Sequence, residues 1–342
     1  MNILVIQTAF PGDAILTLPL IQKISEKYPN SHIDVLCIPA TKSIFDASPF
    51  VDSAITFDKK QNEKGINGLL RIVKKIRLNN YDIVISPHRS ARSSLISFFS
   101  GSGKRISFDK SALSFLYTKL VKYNSDWHEV KRNLSLLDST YDEEWKILPI
   151  LKVEENVKSK IDQLIKSIAS KKIIAIAPGS VWETKKYPIE HYKSLVENFV
   201  DDGFHILIIG GANDHKLGEI LKKVKSEHVS NYCGELNFIE SYYLITKTNL
   251  LISNDSAPTH LGVAADIPVL TIFCSTIPGF GFYPYNQKSR TLSIDDLYCK
   301  PCGIHGHNKC PEGHFRCGWE VTSNEVLGVA KEMLSEGHSI DN

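Results

Sequence analysis

Short apolar runs alternate with stretches of helical periodicity along this chain, and this alternation limits its fold more than any other feature. In the first half, the apolar runs occupy residues 2–7, 32–38, 53–57 and 82–86, and the helical patterns occupy 13–28 and 67–78. Continuous apolar runs of this length are typical of parallel strands that helices cover on both faces. The first half therefore predicts a parallel sheet built from strand–helix–strand units.

The same alternation restarts in the second half. Apolar runs occupy residues 173–177, 205–210, 250–253 and 269–273, and helical patterns occupy 189–201, 214–224 and 257–265. Between the halves, residues 141–170 are charged and rich in lysine, which predicts a linker followed by a helix. A length of 342 residues suits two domains. We therefore predict an α/β protein with two Rossmann-like, doubly wound domains, residues 1–150 and 151–342, that face each other across a central cleft.

Composition and charge narrow the classes of partner. The chain is 42% hydrophobic and 23% charged, which is typical of a soluble globular protein. Its net charge of +2 is too small to indicate nucleic-acid binding, but it tolerates an anionic substrate or membrane surface. No apolar stretch reaches the roughly 18 residues of a spanning helix, and the first residues lack a signal-peptide pattern. We therefore expect a cytoplasmic protein without a transmembrane segment, whose seven cysteines are mostly reduced or metal-bound.

Ligands of doubly wound sheets bind at the carboxyl ends of the strands, so the loops after the predicted strands are the candidate sites. The first of these loops, residues 8–13, lacks the G-x-G-x-x-G pattern, which argues against a nicotinamide enzyme. Asp13 falls at the start of the next helix, where it is either a plain N-cap or a general base for a sugar hydroxyl. The two roles are compatible, because a helix N-terminus favours an ionised carboxylate.

The loop at residues 178–188 combines small residues with a cation. Lys185 lies about one turn before the predicted helix, where its charge would meet a pyrophosphate. Ser180 and the backbone around Gly179 would donate hydrogen bonds to the same group. The alternative is that Lys185 and Lys186 are ordinary solvated surface residues.

The loop at residues 253–260 leads from a strand into a helix. Asp255 and Ser256 offer capping side chains, and Pro258 suits the first helical turn. The N–H groups of that turn would face the cleft and form an anion site. The alternative is a well-capped helix with a buried His260.

Cations are concentrated after the strand predicted at residues 82–86. Arg89 and Arg92 lie there, and arginine is the side chain best suited to clamp a phosphate or a carboxylate. Further charges occur at residues 104–105 and 128–132. Each of these could be plain surface, but together they indicate an acidic acceptor.

Four cysteines lie close together near the C-terminus of the sequence: Cys299, Cys302, Cys310 and Cys317. A C-x-x-C pair followed by two more cysteines within nineteen residues has the spacing of zinc ligands. A structural zinc is therefore one interpretation, and a loop of reduced thiols is the other. A catalytic metal is disfavoured because no carboxylate cluster accompanies the cysteines.

Four ordered blocks together resemble glycosyltransferase family nine, the ADP-heptose:lipopolysaccharide heptosyltransferases, and most of all the heptosyltransferase II branch. These blocks are the Gly12-Asp13 pair, P-G-S…W-x-x-K-x-x-P at residues 178–188, N-D-S-x-P-x-H at 254–260, and C-x-P-C…C-P-x-G-H-x-x-C at 299–317. The resemblance covers nearly the whole chain. It implies a two-domain GT-B fold and an inverting transfer of heptose from ADP-L-glycero-D-manno-heptose.

The resemblance also implies roles for individual residues. Asp13 would be the catalytic base, Lys185 would bind the diphosphate, and Asp255 would contact the donor sugar or its phosphates. The same donor pocket would be lined by Ser256, Ala257 and His260, with Ser180 alongside, and Asp214 matches more loosely an acidic position that binds ribose hydroxyls. The chain departs from the family pattern at Ala257, where glycine is usual, and in the spacing between Cys302 and Cys310.

The function predicted from the sequence is an inverting glycosyltransferase in which residues 1–150 bind an acidic lipopolysaccharide-core-type glycolipid and residues 151–342 bind ADP-heptose. Arg89 and Arg92 would hold the acidic group of the acceptor. No cofactor is required for catalysis in this scheme, and the enzyme would work at the inner face of the cytoplasmic membrane. The alternatives are a GT-B transferase or epimerase that uses another nucleotide sugar, and a non-catalytic nucleotide-sugar-binding or metal-sensing module.

Overall fold

The structure, a computed structural model, describes residues 1–59, 61–137, 144–168 and 172–337. The chain forms two compact units, Met1–Lys152 and Val153–Asn342. The linker predicted at residues 141–170 falls partly outside the described residues at both of its ends, and the helix expected within it is present as Glu155–Leu164. Among the described residues, no helix is both long and apolar enough to cross a bilayer.

The first unit contains six strands and five α-helices within the described residues. The strands are β1 (Asn2–Gln7), β2 (His32–Cys37), β3 (Ser53–Thr56), β4 (Ile83–Ser86), β5 (Lys104–Phe108) and β6 (Lys119–Val121). The helices are α1 (Pro11–Lys27), α2 (Lys42–Asp46), α3 (Gly65–Arg77), α4 (Ala91–Phe99) and α5 (Glu129–Ser135), with short 3-10 turns at Pro39–Thr41 and Ser114–Leu116.

The second unit follows the same plan. Its strands are β7 (Ile173–Ala177), β8 (His205–Ile208), β9 (Val229–Asn231), β10 (Leu250–Asn254), β11 (Val269–Phe273) and β12 (Arg290–Ser293). Its helices are α6 (Glu155–Leu164), α7 (Ile189–Asp201), α8 (His215–Lys222), α9 (Phe238–Ile245), α10 (Ala257–Ala264), α11 (Arg316–Trp319) and α12 (Ser323–Gly337). Short 3-10 turns lie at Glu183–Lys185, Ala212–Asp214 and Pro278–Phe280.

Each unit has a parallel sheet of six strands, and the two sheets have the same topology. The strand order is β3-β2-β1-β4-β5-β6 in the first and β12-β11-β10-β7-β8-β9 in the second. Counted from the first strand of each unit, both are the doubly wound order 3-2-1-4-5-6. The order reverses between β1 and β4 and between β7 and β10, and ligands of such sheets bind outside the carboxyl ends of the strands at this reversal.

The sheets form because their central strands are apolar on both faces. All five residues of β7 are buried, and the residues of β10 and β11 are buried as well. In the second unit, Tyr192, Leu195 and Phe199 of α7 pack on one face of the sheet as part of a single core cluster. Burial on both faces explains why these strands appear in the sequence as continuous apolar runs.

Four strands, β5, β6, β9 and β12, were not predicted, although the edge strand β3 was. β6 and β9 have only three residues each, β5 begins with Lys104 and Arg105, and β12 begins with Arg290. Short length and charged residues leave these four strands without the apolar run by which the other strands were found. Pro19 lies inside α1, which continues through it to Lys27.

Candidate active site

The reversal point of the second sheet brings two of the predicted loops together. β7 and β10 pair in parallel, with Ala177 opposite Ser253, so the loops that leave them begin side by side. The side chain of Asn254 joins these loops. Its Nδ2 donates to the carbonyl oxygen of Pro178 at 2.7 Å, and its Oδ1 accepts the N–H of Tyr187 at 3.0 Å. Asn254 is fully buried, so the shape of the 178–188 loop depends on it.

Lys185 and Asp255 meet at this edge. Their Nζ and Oδ2 atoms are 2.6 Å apart, and the two side chains are only 14% and 10% exposed. The hydroxyl of Thr276, in the loop after β11, donates to the same Oδ2 at 2.7 Å. An ammonium group has three N–H donors, so Lys185 can keep its ion pair with Asp255 and still donate a hydrogen bond to a phosphate. Its low exposure excludes the solvated-surface interpretation of Lys185.

His260 lies one helical turn beyond Asp255, inside α10. It is 3% exposed, and within the described residues its Nδ1 has no hydrogen-bond partner. Burial lowers the pKa of His260, Asp255 partly offsets this, the charge of Lys185 adds to it, and the resulting pKa is about 4. The imidazole is therefore neutral near pH 7, and it can serve the pocket as a hydrogen-bonding group but not as a cation.

Asp214 lies over the glycine that follows β7. A Cβ atom placed on Gly179 would be 2.2 Å from the Asp214 carboxylate, and Asp214 Oδ2 accepts the N–H of Gly211 at 2.9 Å. Burial raises the pKa of Asp214, and this hydrogen bond and Lys186 partly offset the rise. The sequence analysis predicted that the backbone around Gly179 donates hydrogen bonds to a pyrophosphate. In the structure, the space above Gly179 holds the Asp214 carboxylate.

The capping role expected for Asp255 and Ser256 is wrong. Ser256 is the N-cap residue of α10, but no side-chain capping bond is present, and its hydroxyl donates to the carbonyl oxygen of Asn254 at 3.3 Å. Ala257 is the first residue of the helix. Ser180 lies in the loop before Lys185, and its Oγ accepts the N–H of Trp182 at 3.4 Å. The carboxylate of Asp255 is engaged by Lys185 and Thr276 instead.

The reversal point of the first sheet is also occupied by predicted residues. β1 and β4 pair in parallel, and the loops after them are linked by Thr8 Oγ1 and His88 Nδ1, 2.9 Å apart. Asp13 is the third residue of α1, and the N-cap residue is Phe10, so the N-cap interpretation of Asp13 is wrong. Asp13 is half-buried in the first turn of this helix. A carboxylate in that turn is stabilised by the helix dipole.

Arg89 and Arg92 differ in their surroundings. The Arg89 guanidinium stacks on the ring of Tyr123 at 4.0 Å, whereas Arg92 is exposed in the first turn of α4. Beneath Tyr123 lies a buried ion pair, with Arg132 Nε 2.7 Å from Glu129 Oε2. Burial raises the pKa of Tyr123, and the charges of Glu129 and Asp13 raise it further while Arg132 and Arg89 lower it. Asp13, Tyr123 and Arg89 therefore belong to one electrostatic neighbourhood.

The four C-terminal cysteines were predicted as possible ligands of a structural zinc. The Sγ of Cys302 donates to the carbonyl oxygen of Cys299 at 3.2 Å, and the buried Cys317 has its pKa raised to about 11 by burial, with Cys299, Cys302 and Cys310 contributing. The four thiols thus lie near one another. In the part of the chain that the structure describes, however, no three His, Cys, Asp or Glu side chains converge on one metal position. A tetrahedral zinc needs ligands about 2 Å from the ion, so a structural zinc stays a prediction.

The sequence model of the protein family glycosyltransferase family 9 (heptosyltransferase) matches residues 69–313, well over half of the chain. The chain belongs to this family. It is therefore a glycosyltransferase, and this membership disfavours a binding module without turnover.

Full-length relatives agree with this family assignment. The lipopolysaccharide heptosyltransferase 2 of Salmonella typhimurium is 25% identical over 361 residues, which cover 98% of this chain and 99% of the relative. The solved ADP-heptose lipopolysaccharide heptosyltransferase II of Escherichia coli superimposes with a TM-score of 0.81 at 21% identity, covering 99% of this chain and 100% of that one. E. coli heptosyltransferase WaaC with ADP gives a TM-score of 0.73 at 18% identity, covering 97% and 100%. The fold is thus the GT-B fold that the resemblance implied.

The structure brings most of the predicted family 9 site residues to the two reversal points. Lys185, Asp255 and His260 form one cluster in the second unit, with Asp214 over the neighbouring strand end, and Asp13 and Arg89 both act on Tyr123 in the first. The sequence analysis assigned no orienting role to Asn254, Thr276, Tyr123 or the Glu129–Arg132 pair. Thr276 and Tyr123 reach their partners from distant parts of the chain, so no local pattern reveals those contacts. Asn254 and the Glu129–Arg132 pair lie in stretches that the sequence analysis named, but their bonds were not predicted.

Proposed function

We propose that this protein transfers heptose from ADP-L-glycero-D-manno-heptose to a hydroxyl of an acidic, lipopolysaccharide-core-type glycolipid, with inversion at the anomeric carbon. One observation carries the proposal: Lys185, Asp255 and Thr276 converge at the carboxyl edge of the second sheet. A half-buried cation held in place by a carboxylate suits a diphosphate leaving group. The names of the relatives supply the identity of the donor.

At the donor, Lys185 and the first turn of α10 would receive the charge that develops on ADP. The ammonium group would donate to a diphosphate oxygen while Asp255 fixes its direction, and the N–H groups near Ser256 and Ala257 would donate to the same group. Ser180 and His260 would line this pocket, and Asp214 would bind ribose hydroxyls. Because fixed donors meet the leaving-group charge, we propose that transfer needs no added divalent cation.

At the acceptor, Asp13 would take the proton from the attacking hydroxyl. The acceptor oxygen forms a new bond to the anomeric carbon as the bond from that carbon to the phosphate oxygen breaks, and the electron pair leaves with ADP. Attack opposite the leaving group inverts the anomeric centre. In this scheme the first unit supplies the base and the second unit supplies the diphosphate ligands.

Arg89 would bind the acidic group of the acceptor, such as a Kdo carboxylate or a core phosphate. Its guanidinium carbon already lies 4.0 Å from the centre of the Tyr123 ring, so less rotamer freedom is lost on binding. Arg92 would contribute from the exposed first turn of α4. Since the acceptor is a glycolipid, we propose that the protein works peripherally at the inner face of the cytoplasmic membrane.

Nucleotide preference tests the donor assignment. ADP at about 100 times its Kd stabilises the folded state by ~2.7 kcal/mol, which should raise the melting temperature by several degrees, whereas UDP and GDP should shift it little. A parallel assay measures ADP release from ADP-heptose with and without an acidic core acceptor, in the presence of EDTA. A larger shift with UDP or GDP, or no acceptor-dependent ADP release, would contradict the proposal and indicate another nucleotide sugar.

A further inference from the structure

Part of the cysteine-rich region lies against the turn that carries Lys185. We call residues 302–307 the buttress segment. It is tied to the end of β11 by the N–H of Cys302, which donates to the carbonyl oxygen of Ser275 at 3.0 Å, and it closes on itself where His307 Nε2 lies 2.7 Å from the carbonyl oxygen of Cys302. The ring of His305 stacks on Trp182 at 6.4 Å between centroids. The segment is therefore seated on the 178–188 loop.

Thr184 is the junction between the buttress segment and the donor site. It is 3% exposed, and its Oγ1 accepts the N–H of His307 at 2.8 Å and the hydroxyl of Ser275 at 3.0 Å. The N–H of Thr184 donates to the carbonyl oxygen of His307 at 3.0 Å. Its carbonyl oxygen accepts the N–H of Ser275 at 3.2 Å. The backbone and side chain of this one residue are thus all engaged.

The residues next to these anchors are the ones that converge on Asp255. Lys185 follows Thr184, and Thr276 follows Ser275, and both reach Asp255 Oδ2, at 2.6 and 2.7 Å. Thr184 and Ser275 are therefore bonded to each other, and the residues that follow them, Lys185 and Thr276, both bind Asp255. A shift of Thr184 would displace the Nζ atom of Lys185, because one peptide unit separates the two residues.

We infer that Thr184 is a positioning residue for the donor diphosphate, and that the buttress segment belongs to the donor site although it need not touch the donor. This inference rests on the proposed role of Lys185 as a diphosphate ligand. The segment holds Thr184 in place, and Thr184 fixes the backbone before Lys185. The Lys185 ammonium group is thereby positioned to bind both Asp255 and the phosphates. The affinity for a nucleoside diphosphate should therefore change when the segment's contacts with Thr184 are altered.

Two substitutions at residue 184 isolate its hydroxyl. Thr184→Val keeps the shape of the side chain but removes the acceptor of two hydrogen bonds, whereas Thr184→Ser keeps that acceptor. We expect Val to weaken ADP binding by about tenfold, measured by titration calorimetry, and Ser to change it by less than about twofold. The KM for the donor should rise with Val, and the KM for the acceptor should not. Unchanged ADP affinity in a folded Thr184→Val protein would overturn the inference.

Two glycines of the same region provide a test that leaves the buried threonine intact. Gly306 and Gly313 both have positive φ, +79° and +73°, so alanine strains the backbone at either position, but only Gly306 belongs to the buttress segment. A Cβ on Gly306 would lie 3.0 Å from both Ser275 Oγ and Thr184 Oγ1 and 3.1 Å from Lys185 Cγ, whereas nothing lies within 4 Å of a Cβ on Gly313. We expect Gly306→Ala to weaken ADP binding and Gly313→Ala to leave it within about twofold. If the two glycine variants weakened ADP binding equally, the inference would be contradicted. This test remains available even if Thr184→Val fails to fold.

A double-mutant cycle separates this inference from the function on which it rests. If Thr184 acts through Lys185, Thr184→Val should cost little further ADP affinity once Lys185→Gln has been introduced. A full further loss in that background would overturn the positioning role. If Lys185→Gln alone leaves ADP binding unchanged, the diphosphate role of Lys185 fails instead. The two failures therefore give different results.

Discussion

Asp255 shows how a single residue acquires its role from distant parts of the chain. The local sequence around it, a strand followed by a helix, indicated a cap. In the structure its carboxylate pairs with Lys185 and accepts a hydrogen bond from Thr276, and these two residues come from two other loops. A buried carboxylate is stabilised by a paired cation and a hydroxyl donor more than by exposed helix N–H groups, which water can satisfy. The tertiary contacts therefore determine its role.

His260 should make the folded protein sensitive to mild acid. Its folded pKa of about 4 lies below the usual value of 6.5, so the unfolded chain binds more protons between these values and stability is lost as the pH falls from about 6.5 towards 4. Between pH 7 and pH 5, His260 should account for a loss of about 2 kcal/mol in the free energy of unfolding.

Urea denaturation of His260→Gln at the two pH values checks this prediction, with the exposed His228→Gln as control. The His260 variant should lose less stability on acidification than the wild type, and the control should behave as the wild type does. Some pH dependence should persist in both, because burial also lowers the pKa of His88 to about 4. An identical pH dependence in the wild type and His260→Gln would contradict the prediction.

Arg89 and Arg92 are a matched pair for the acceptor site. Arg89 lies over the ring of Tyr123, whose pKa Asp13 also affects, and Arg92 is exposed three residues later. Arg89→Ala should raise the KM for the acceptor by about tenfold, the cost of one charge-assisted hydrogen bond, and Arg92→Ala should raise it less. Donor KM should stay unchanged in both variants. A rise in donor KM, or no change in acceptor KM, would remove Arg89 from the acceptor site.

At the scale of elements, the 178–188 loop keeps its shape through contacts with β10 that the sequence does not reveal. Asn254, the last residue of that strand, bonds to Pro178, Tyr187 and the hydroxyl of Tyr192. The sequence analysis identified both loops from their apolar strands and their small residues, because those signals are local. It could not identify the hydrogen bonds between them, since Asn254 lies more than sixty residues from each of these partners.

Removal of the Asn254 side chain should therefore destabilise the second unit. Asn254→Ala leaves buried donors and acceptors without partners, and we expect the free energy of unfolding to fall by about 2–4 kcal/mol. Asn198→Ala is the control, because that exposed asparagine donates only to Ser194 of its own helix among the contacts described. Urea denaturation of the two variants measures the difference. A loss below about 1 kcal/mol for Asn254→Ala would contradict the role of Asn254 as a link between the loops.

At the scale of the whole molecule, one doubly wound topology occurs twice, and it places the candidate residues of each unit at the strand-order reversal. The sequence was sufficient to predict two α/β sheets and their inner strands, because burial on both faces leaves a continuous apolar run. It did not reveal β5, β6, β9 and β12, which are short or begin with charged residues. The assignment of acceptor and donor to the two units stays a prediction, and it depends on Asp13 acting as a base opposite a diphosphate site.

Transfer by the Asp13→Asn variant tests this central claim most directly. The variant keeps the size of the side chain but cannot accept a proton, so we expect the kcat for heptose transfer to fall by about 10²–10⁴-fold. The Kd for ADP-heptose should remain within about twofold of the wild type, because the proposed diphosphate ligands lie in the other unit. Wild-type kcat in Asp13→Asn, or loss of donor binding in place of catalysis, would contradict the account.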